Sequence, residues 1–401
     1  MGVLAAAWQQ QGGVSMISYA TPYKPEEVSY DPARIDAVNR HFEDLIAKKK
    51  ILSANYCLAR DGKVFANVAL GKLSYREEDD RQLLPDTIQR IASIAKMFYA
   101  IATWQLVEDG KLRVNQRVGE IIEEFNEPPF YDITIAHLLT HTSGLQADGG
   151  CFQNKYFQSP WSFIKEESGE SWIACSLKAG MRKKPGEEWA YNSFGYNYIG
   201  EIISRVSGQF AHDYVRDHII KPCKLKDTGY YFGDAEVAKR YNIPGEHMEK
   251  QMEKILSGES LTEKRSSYFE AIPIYPMYST AYDLCRFGIM LQQGGYLEGE
   301  RVLGRKAIEK MTTLYTAPHI KDYCWNAGGS YREYGLGPDM RCNDASLYSK
   351  GTYFHEGAGG CCMIVDPVEK LVATWFIPFV NDVWCPEPLY NAAAVMWSGL
   401  I

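Results

Sequence analysis

Apolar residues recur at three- and four-residue intervals at Ile35, Val38, Phe42, Leu45 and Ile46, the period of a helix with one buried face. Just ahead of them stands Asp31-Pro32-Ala33, with its proline just inside the N-terminus, at a position that needs no N–H. A helix is therefore predicted from here to about Lys50. The pattern then tightens. Ala54–Arg60 and Lys63–Leu70 are dense in apolar side chains and flank Asp61-Gly62, a two-residue turn signal that predicts a hairpin. Past the acidic loop Glu77–Asp80, the stretch Arg90–Ala100 opens an apolar helix expected to reach about Gly110.

Helical patterns dominate from about 111 to about 230: Ile133–Leu145 with Gly144 as its stop, Gly195–Val206, and Phe210–Ile220 before Pro222. Ala235–Lys264 is charge-rich and helical in tone, and reads as a solvated insertion or lid. Ser279–Asp283 supplies an N-cap for a helix over Leu284–Gln293. Thr352–His355, Cys361–Val365 and Leu371–Phe376 read as strands, and Leu389–Trp397 as a closing apolar helix. Strands at both ends and helices between them predict an α/β + all-α fold. Its antiparallel sheet is flanked by N- and C-terminal helices, with a helical lobe inserted. Residues 25–85 and 275–401 would form the α/β lobe, 86–274 the helical lobe, and 1–24 a disordered leader.

At 401 residues, 46% hydrophobic and 23% charged, the chain has the make-up of a globular protein with room for two lobes. A net charge of -7 argues against nucleic-acid or anionic-membrane partners. Met1–Ser15 lacks the basic n-region of an export signal, and no apolar run reaches the ~20 residues of a spanning helix. The ten cysteines show no framework spacing. They are read as reduced, mostly buried thiols of a cytoplasmic protein.

The chemistry gathers at Ser93-Ile94-Ala95-Lys96. On a helix, residues three apart share a face, so the Lys96 amine can reach the Ser93 hydroxyl. A serine needs such a neighbour to become a nucleophile, and the head of the helix offers N–H groups to a developing oxyanion. The spacing alone also fits an ordinary helical surface pair, and Ser162-Phe163-Ile164-Lys165 repeats it. His137 and His141 stand four apart, yet no Glu follows the first and no third ligand is in view, so no metal site is assigned. His141 is expected to fix the end of its helix by a hydrogen bond. Lys184-Pro185-Gly186 belongs to a turn, and no Gly-x-Ser-x-Gly elbow occurs.

Three further stretches give the Ser93 tetrad its context: Ile133–Leu145, ending His-Thr-Ser-Gly-Leu; Pro185–Tyr196, with Tyr191 in a turn before a helix; and His355-Glu356-Gly357-Ala358-Gly359-Gly360 ahead of Val365-Asp366-Pro367. In order and spacing, from about Ile35 to about Val383, the chain resembles the serine β-lactamase-like superfamily. The resemblance is to its class C branch of penicillin-recognising proteins, with their related esterases and D-aminopeptidases. It implies Ser93 as acylated nucleophile, Lys96 as the lysine handling its proton, and Tyr191 as general base or shuttle, its phenolate favoured by the nearby ammonium. It also implies an oxyanion hole of the Ser93 and Ala358 backbone N–H groups. His355, Glu356 and Gly357 become the third motif lining the substrate, and no cofactor is needed.

Two departures shape the expected substrate. Where the family's second motif reads Tyr-x-Asn, this chain has Tyr191-Asn192-Ser193, and Asn192 replaces the missing amide only if the turn shifts by one. Where drug-hydrolysing members carry a third-motif lysine, this chain has His355, mostly neutral at pH 7. Met277-Tyr278-Ser279-Thr280 also lacks the Gly-Gly that often precedes Ser-Thr in the family. The expectation is a serine hydrolase acting on a small-molecule ester or small amide, with acyl transfer open to it. The alternatives are a β-lactamase, D,D-peptidase or D-aminopeptidase, or a catalytically silent sensor of the same fold.

Overall fold

Strands from both ends of the chain join one eight-stranded antiparallel sheet in the computed structural model, which describes residues 6–11, 14–152, 159–165, 168–230, 235–256, 277–341, 346–379 and 386–401. The first end supplies β1 (Ala6–Gln11), β2 (Val14–Tyr19), β3 (Ser53–Arg60) and β4 (Lys63–Gly71). The second supplies β5 (Asp339–Arg341), β6 (Thr352–Gly357), β7 (Cys361–Asp366) and β8 (Leu371–Phe376). Their order is β1-β2-β4-β3-β8-β7-β6-β5, with the two sets joined where Tyr56 lies opposite Trp375. The β3–β4 hairpin turns at Asp61 and Gly62, with φ of +49° and +75°, the left-handed pair that matches strand twist.

The helices that position the site are α1 (Pro32–Ala47), α2 (Ala95–Glu108), α3 (Ile135–Leu139), α4 (Ser193–Ser207), α5 (Glu246–Leu256), α6 (Ala281–Gln292) and α7 (Pro386–Trp397). Alternation along the strands divides the core. Tyr56, Leu58, Ala373 and Trp375 pack with Val38 and Phe42 of α1 and Leu389 and Met396 of α7. Cys57, Ala59, Val372 and Phe376 face the other way, onto Phe98 of α2 and Leu284 and Phe287 of α6. Every residue of α2 from Ala95 to Trp104 is buried, so its apolar run shows no polar face.

Four local expectations change. Residues 6–19, placed by the sequence in a disordered leader, hold β1 and β2; Met16 pairs with Leu70, and Ala6 with Tyr19. Their order comes from the open edge of β4, which a scan of their own weak apolarity could not register. The helix expected over Ile133–Leu145 stops at Leu139, because His141 adopts φ +57°. The run Phe210–Ile220 divides into Ala211–Val215 and a π-turn over Arg216–Ile220. The charge-rich segment is more than a solvated face within the described residues: Met248 and Met252 of α5 pack with Ile88, Tyr241 and Tyr278. Its part from 257 to 264 lies outside them. Thr280 caps α6 by accepting from the Asp283 N–H at 3.1 Å.

The eight cysteines among the described residues are free and buried. No described helix is long and apolar enough to cross a membrane.

Candidate active site

Ser93 lies in a short 3-10 turn, Ala92–Ile94, that runs into α2. The chain enters this turn through Ala92 at φ +45°, a conformation that costs a residue carrying a Cβ. Near the start of a helix the N–H groups have no carbonyl of their own helix to bond, which leaves the Ser93 N–H for another acceptor. One turn on, Lys96 reaches back from α2. Its Nζ donates to Ser93 Oγ at 2.9 Å and to Ser193 Oγ at 3.0 Å. Lys96 is only 4% exposed. Burial pulls its pKa down to about 8, against the opposing pull of the Asp148 carboxylate.

The second motif ends a turn that His141 holds in place. The Asn192 N–H donates to His141 Nδ1 at 3.1 Å, and Asn192 Oδ1 caps α4 by accepting from the Gly195 N–H at 2.9 Å. Asn192 is thus committed to the helix, and the next residue, Ser193, is the one that meets Lys96. Ser193 is held in turn by Asp148, donating its backbone N–H at 2.6 Å and its hydroxyl at 2.5 Å to the two carboxylate oxygens. The Tyr191 ring centre lies 4.8 Å from Lys96 Nζ, with the His141 ring at 4.5 Å and the Trp325 ring at 5.4 Å. Burial first, then the Asp148 charge, push the Tyr191 phenol well above its ordinary pKa; hydrogen bonding with Ser93 and Ser193 only partly opposes this. The expected phenolate is therefore corrected to a neutral phenol. Lys96, not Tyr191, is the group brought near neutrality.

On the third motif, alternation along β6 sorts the residues. Tyr353 shares the core of α2, whereas Phe354 belongs to the opposite face. Glu356, in register with Phe354, bonds the Tyr390 hydroxyl of α7 at 2.8 Å, so the sheet turns its side chain away from the face that carries Ser93. Gly357 lies against Ile91 and Ala92 with no room for a Cβ. Cys361, opposite it on β7, donates to the Ile91 carbonyl at 3.4 Å. Ala358 follows in the exposed turn to β7.

His355 is 4% exposed, and burial, followed by the Lys96 charge, pushes its imidazole down to about 3. Its Nδ1 lies 2.8 Å from the Glu356 carbonyl. A carbonyl only accepts, so Nδ1 carries the proton and Nε2 is left as a lone pair. That Nε2 is buried with no partner among the described residues. The nearby Arg332 guanidinium is ion-paired with Asp339 and lies 3.9 Å from Asp322.

Other candidates have different work. His137 Nδ1 accepts from the Thr134 N–H at the head of α3. His141 bonds its helix end through its backbone N–H, to the Leu138 carbonyl at 3.4 Å, while its ring fixes the Tyr191 turn and burial holds its pKa far down. No group of three or more His, Cys, Asp or Glu among the described residues is placed to hold a metal. Ser162 and Lys165 are both exposed. Lys184-Pro185-Gly186 is a turn, its Gly186 N–H bonding Thr142 O at 2.8 Å. Asp148 escaped sequence reasoning. It lies just past the His-Thr-Ser-Gly-Leu run as an ordinary loop acid, and only the fold carries it to Ser193.

Residues 38–378 match the family model described as Beta-lactamase. The chain belongs to the β-lactamase family. A putative penicillin-binding protein, PbpX of Bacillus subtilis, is 25% identical over 343 residues, covering 85% of this chain and 79% of that protein. Esterase EstB of Burkholderia gladioli is 28% identical over 221 residues, 53% of this chain and 54% of that protein. Among solved structures, EstCE1, described as a hydrolase with promiscuous acyltransferase activity, superposes with a TM-score of 0.71 at 19% identity, covering 91% of this chain and 98% of that one. The β-lactamase fold, with its large antiparallel sheet, is thus common to this chain and to penicillin-binding-protein homologues and esterases.

Proposed function

We propose that this β-lactamase-family chain is a serine hydrolase that forms an acyl-Ser93 intermediate from an uncharged small-molecule ester or small amide. The observation that carries the reading is Lys96: a buried amine with a pKa near about 8, hydrogen-bonded to the Ser93 hydroxyl. At pH 7 about a tenth of such amines are unprotonated, enough to act as a base. Ser93 Oγ attacks the carbonyl carbon as its proton passes to Lys96 Nζ. The carbonyl oxygen takes the negative charge beside the backbone N–H groups of Ser93 and Ala358, each donor supporting about 10²–10³ in rate. The proton then returns, by way of Lys96 and the neutral Tyr191 phenol, to the departing oxygen or nitrogen. Water, activated by the same groups, releases the acid and restores Ser93.

His355 supports the choice of an uncharged substrate. Its Nε2 is a lone pair that repels a carboxylate, and the neighbouring Arg332 already has carboxylate partners. The β-lactamase and D,D-peptidase readings, which need a cation for the substrate carboxylate, are weaker for that reason. Resolution of the acyl-enzyme by an alcohol in place of water is a second outcome of the same chemistry. A fluorophosphonate probe tests the reading. Wild type should be labelled, Ser93→Ala should not, and equal labelling of both would remove Ser93 from the nucleophile's role.

A further inference from the structure

Ser193 has one hydroxyl proton, and besides the Tyr191 phenol two neighbours fix where it points. Asp148 Oδ2 lies 2.5 Å from Ser193 Oγ, and Lys96 Nζ lies 3.0 Å from it on the other side. A carboxylate can only accept, so the Ser193 proton points at Asp148 and the oxygen offers Lys96 a lone pair. An unprotonated amine has two N–H groups and one lone pair. With one N–H spent on Ser193, its lone pair is free to turn to its other hydroxyl neighbour, Ser93 at 2.9 Å.

We propose that Asp148 is a positioning residue of this site: through the Ser193 hydroxyl it aims the Lys96 lone pair at Ser93 and is the counter-charge for the ammonium formed when Ser93 gives up its proton. The proposal rests on the acyl-Ser93 reading. Without Asp148, the Ser193 hydroxyl is free to rotate and donate to the amine, occupying the lone pair that Ser93 needs.

The geometry around Lys96 singles out Asp148 as its counter-charge. Among the described residues, the other titratable groups that face Lys96 are Tyr191 and Tyr196, whose ring centres lie at 4.8 Å and 5.8 Å, and the imidazoles of His141 and His355. Both phenols are pushed up by burial and both imidazoles down, so all four are neutral near pH 7. Asp148 also zips its own loop to the second motif, its N–H bonding the Tyr191 carbonyl at 2.8 Å, a bond that does not depend on its side chain.

Two variants separate aiming from charge. Asp148→Asn keeps an oxygen that can accept from Ser193 but removes the charge. Asp148→Ala removes both. With a neutral ester, kcat/KM rises with pH as Lys96 loses its proton. Loss of the Asp148 charge lowers the Lys96 pKa, so that rise should move to lower pH by ~1 unit in both variants. The high-pH plateau should stay within a few-fold of wild type in Asp148→Asn and fall about tenfold or more in Asp148→Ala. A thermal melt shows whether each variant is folded, and Asp148→Asn alone decides the charge if Asp148→Ala is not. A folded Asp148→Asn whose pH profile overlies wild type would overturn the proposal. Ser93→Ala, assayed beside them, keeps the two ideas apart, because turnover surviving there would sink the acyl-Ser93 reading instead.

Discussion

Gly357 and Ile91 meet so closely that a Cβ on the glycine would stand 2.5 Å from the Ile91 carbonyl oxygen. The same atom would stand 3.1 Å from Ala92 Cβ, so β6 and the turn carrying Ser93 touch backbone to backbone. Gly357→Ala must push them apart, and with them the Ala358 and Ser93 N–H groups. Labelling by a fluorophosphonate should slow by ~10²-fold, as expected of a misplaced reacting geometry. Overpacking should cost about 1–3 kcal/mol in denaturant unfolding. Labelling at the wild-type rate would mean that this contact does not set the oxyanion site.

The pH dependence follows from Lys96. With its pKa at about 8, kcat/KM for a neutral ester should climb through that region and flatten above it. Lys96→Arg keeps a cation that cannot deprotonate in this range, and should lose ~10²–10⁴ in kcat/KM. His355, already neutral down to about 3, should leave the limb where it is when changed to Gln. Stopped assays across the pH range check all three.

A cation at position 355 should alter which substrates are accepted. His355→Lys replaces the orphan Nε2 lone pair with a donor. Acylation by nitrocefin, which carries a carboxylate, should rise relative to acylation by a p-nitrophenyl ester. An unchanged ratio would show that His355 does not sort substrates by charge.

Asp283 links stability to pH. Its Oδ2 accepts from the Asp227 N–H at 2.7 Å and from the Thr228 hydroxyl at 3.0 Å, yet burial raises its pKa to about 6. The folded chain therefore holds this proton more tightly than the unfolded one. Its stabilising effect is complete below the unfolded value and lost as pH rises through about 6. Asp283→Asn stays neutral, so its stability relative to wild type should improve between about pH 4 and about pH 7.5 in chemical denaturation. A relative stability that worsens over that interval would show that the charged carboxylate is favoured by its hydrogen bonds.

Local signals carried much of the fold. Asp31 before Pro32 marked α1, Asp61-Gly62 marked the β3–β4 turn, and Thr280 was within the stretch read as the cap of α6. These are decided by neighbours in sequence. β2 was not legible, because its order depends on an edge built from residues near Leu70. At the site, spacing was enough to show that the Lys96 amine reaches the Ser93 hydroxyl, but only the later motifs set this pair apart from Ser162 and Lys165. Ser193 was visible as a departure, but its role was not, since nothing near Asp148 in sequence shows that a loop acid will reach it. The direction of the Tyr191 shift was misjudged for the same reason. Sequence named the ammonium beside the phenol, whereas burial, a property of the whole packing, outweighs it.

The proposed reaction leaves a covalent acyl group on the Ser93 oxygen, the one hydrogen-bonded to Lys96. Intact-protein mass spectrometry after a rapid acid quench with p-nitrophenyl acetate reads it directly. The expected result is a population heavier by one acetyl group, mapped by peptide digestion to Ser93 and missing in Ser93→Ala. Ester turnover with no added mass at Ser93, or the same adduct in Ser93→Ala, would contradict it.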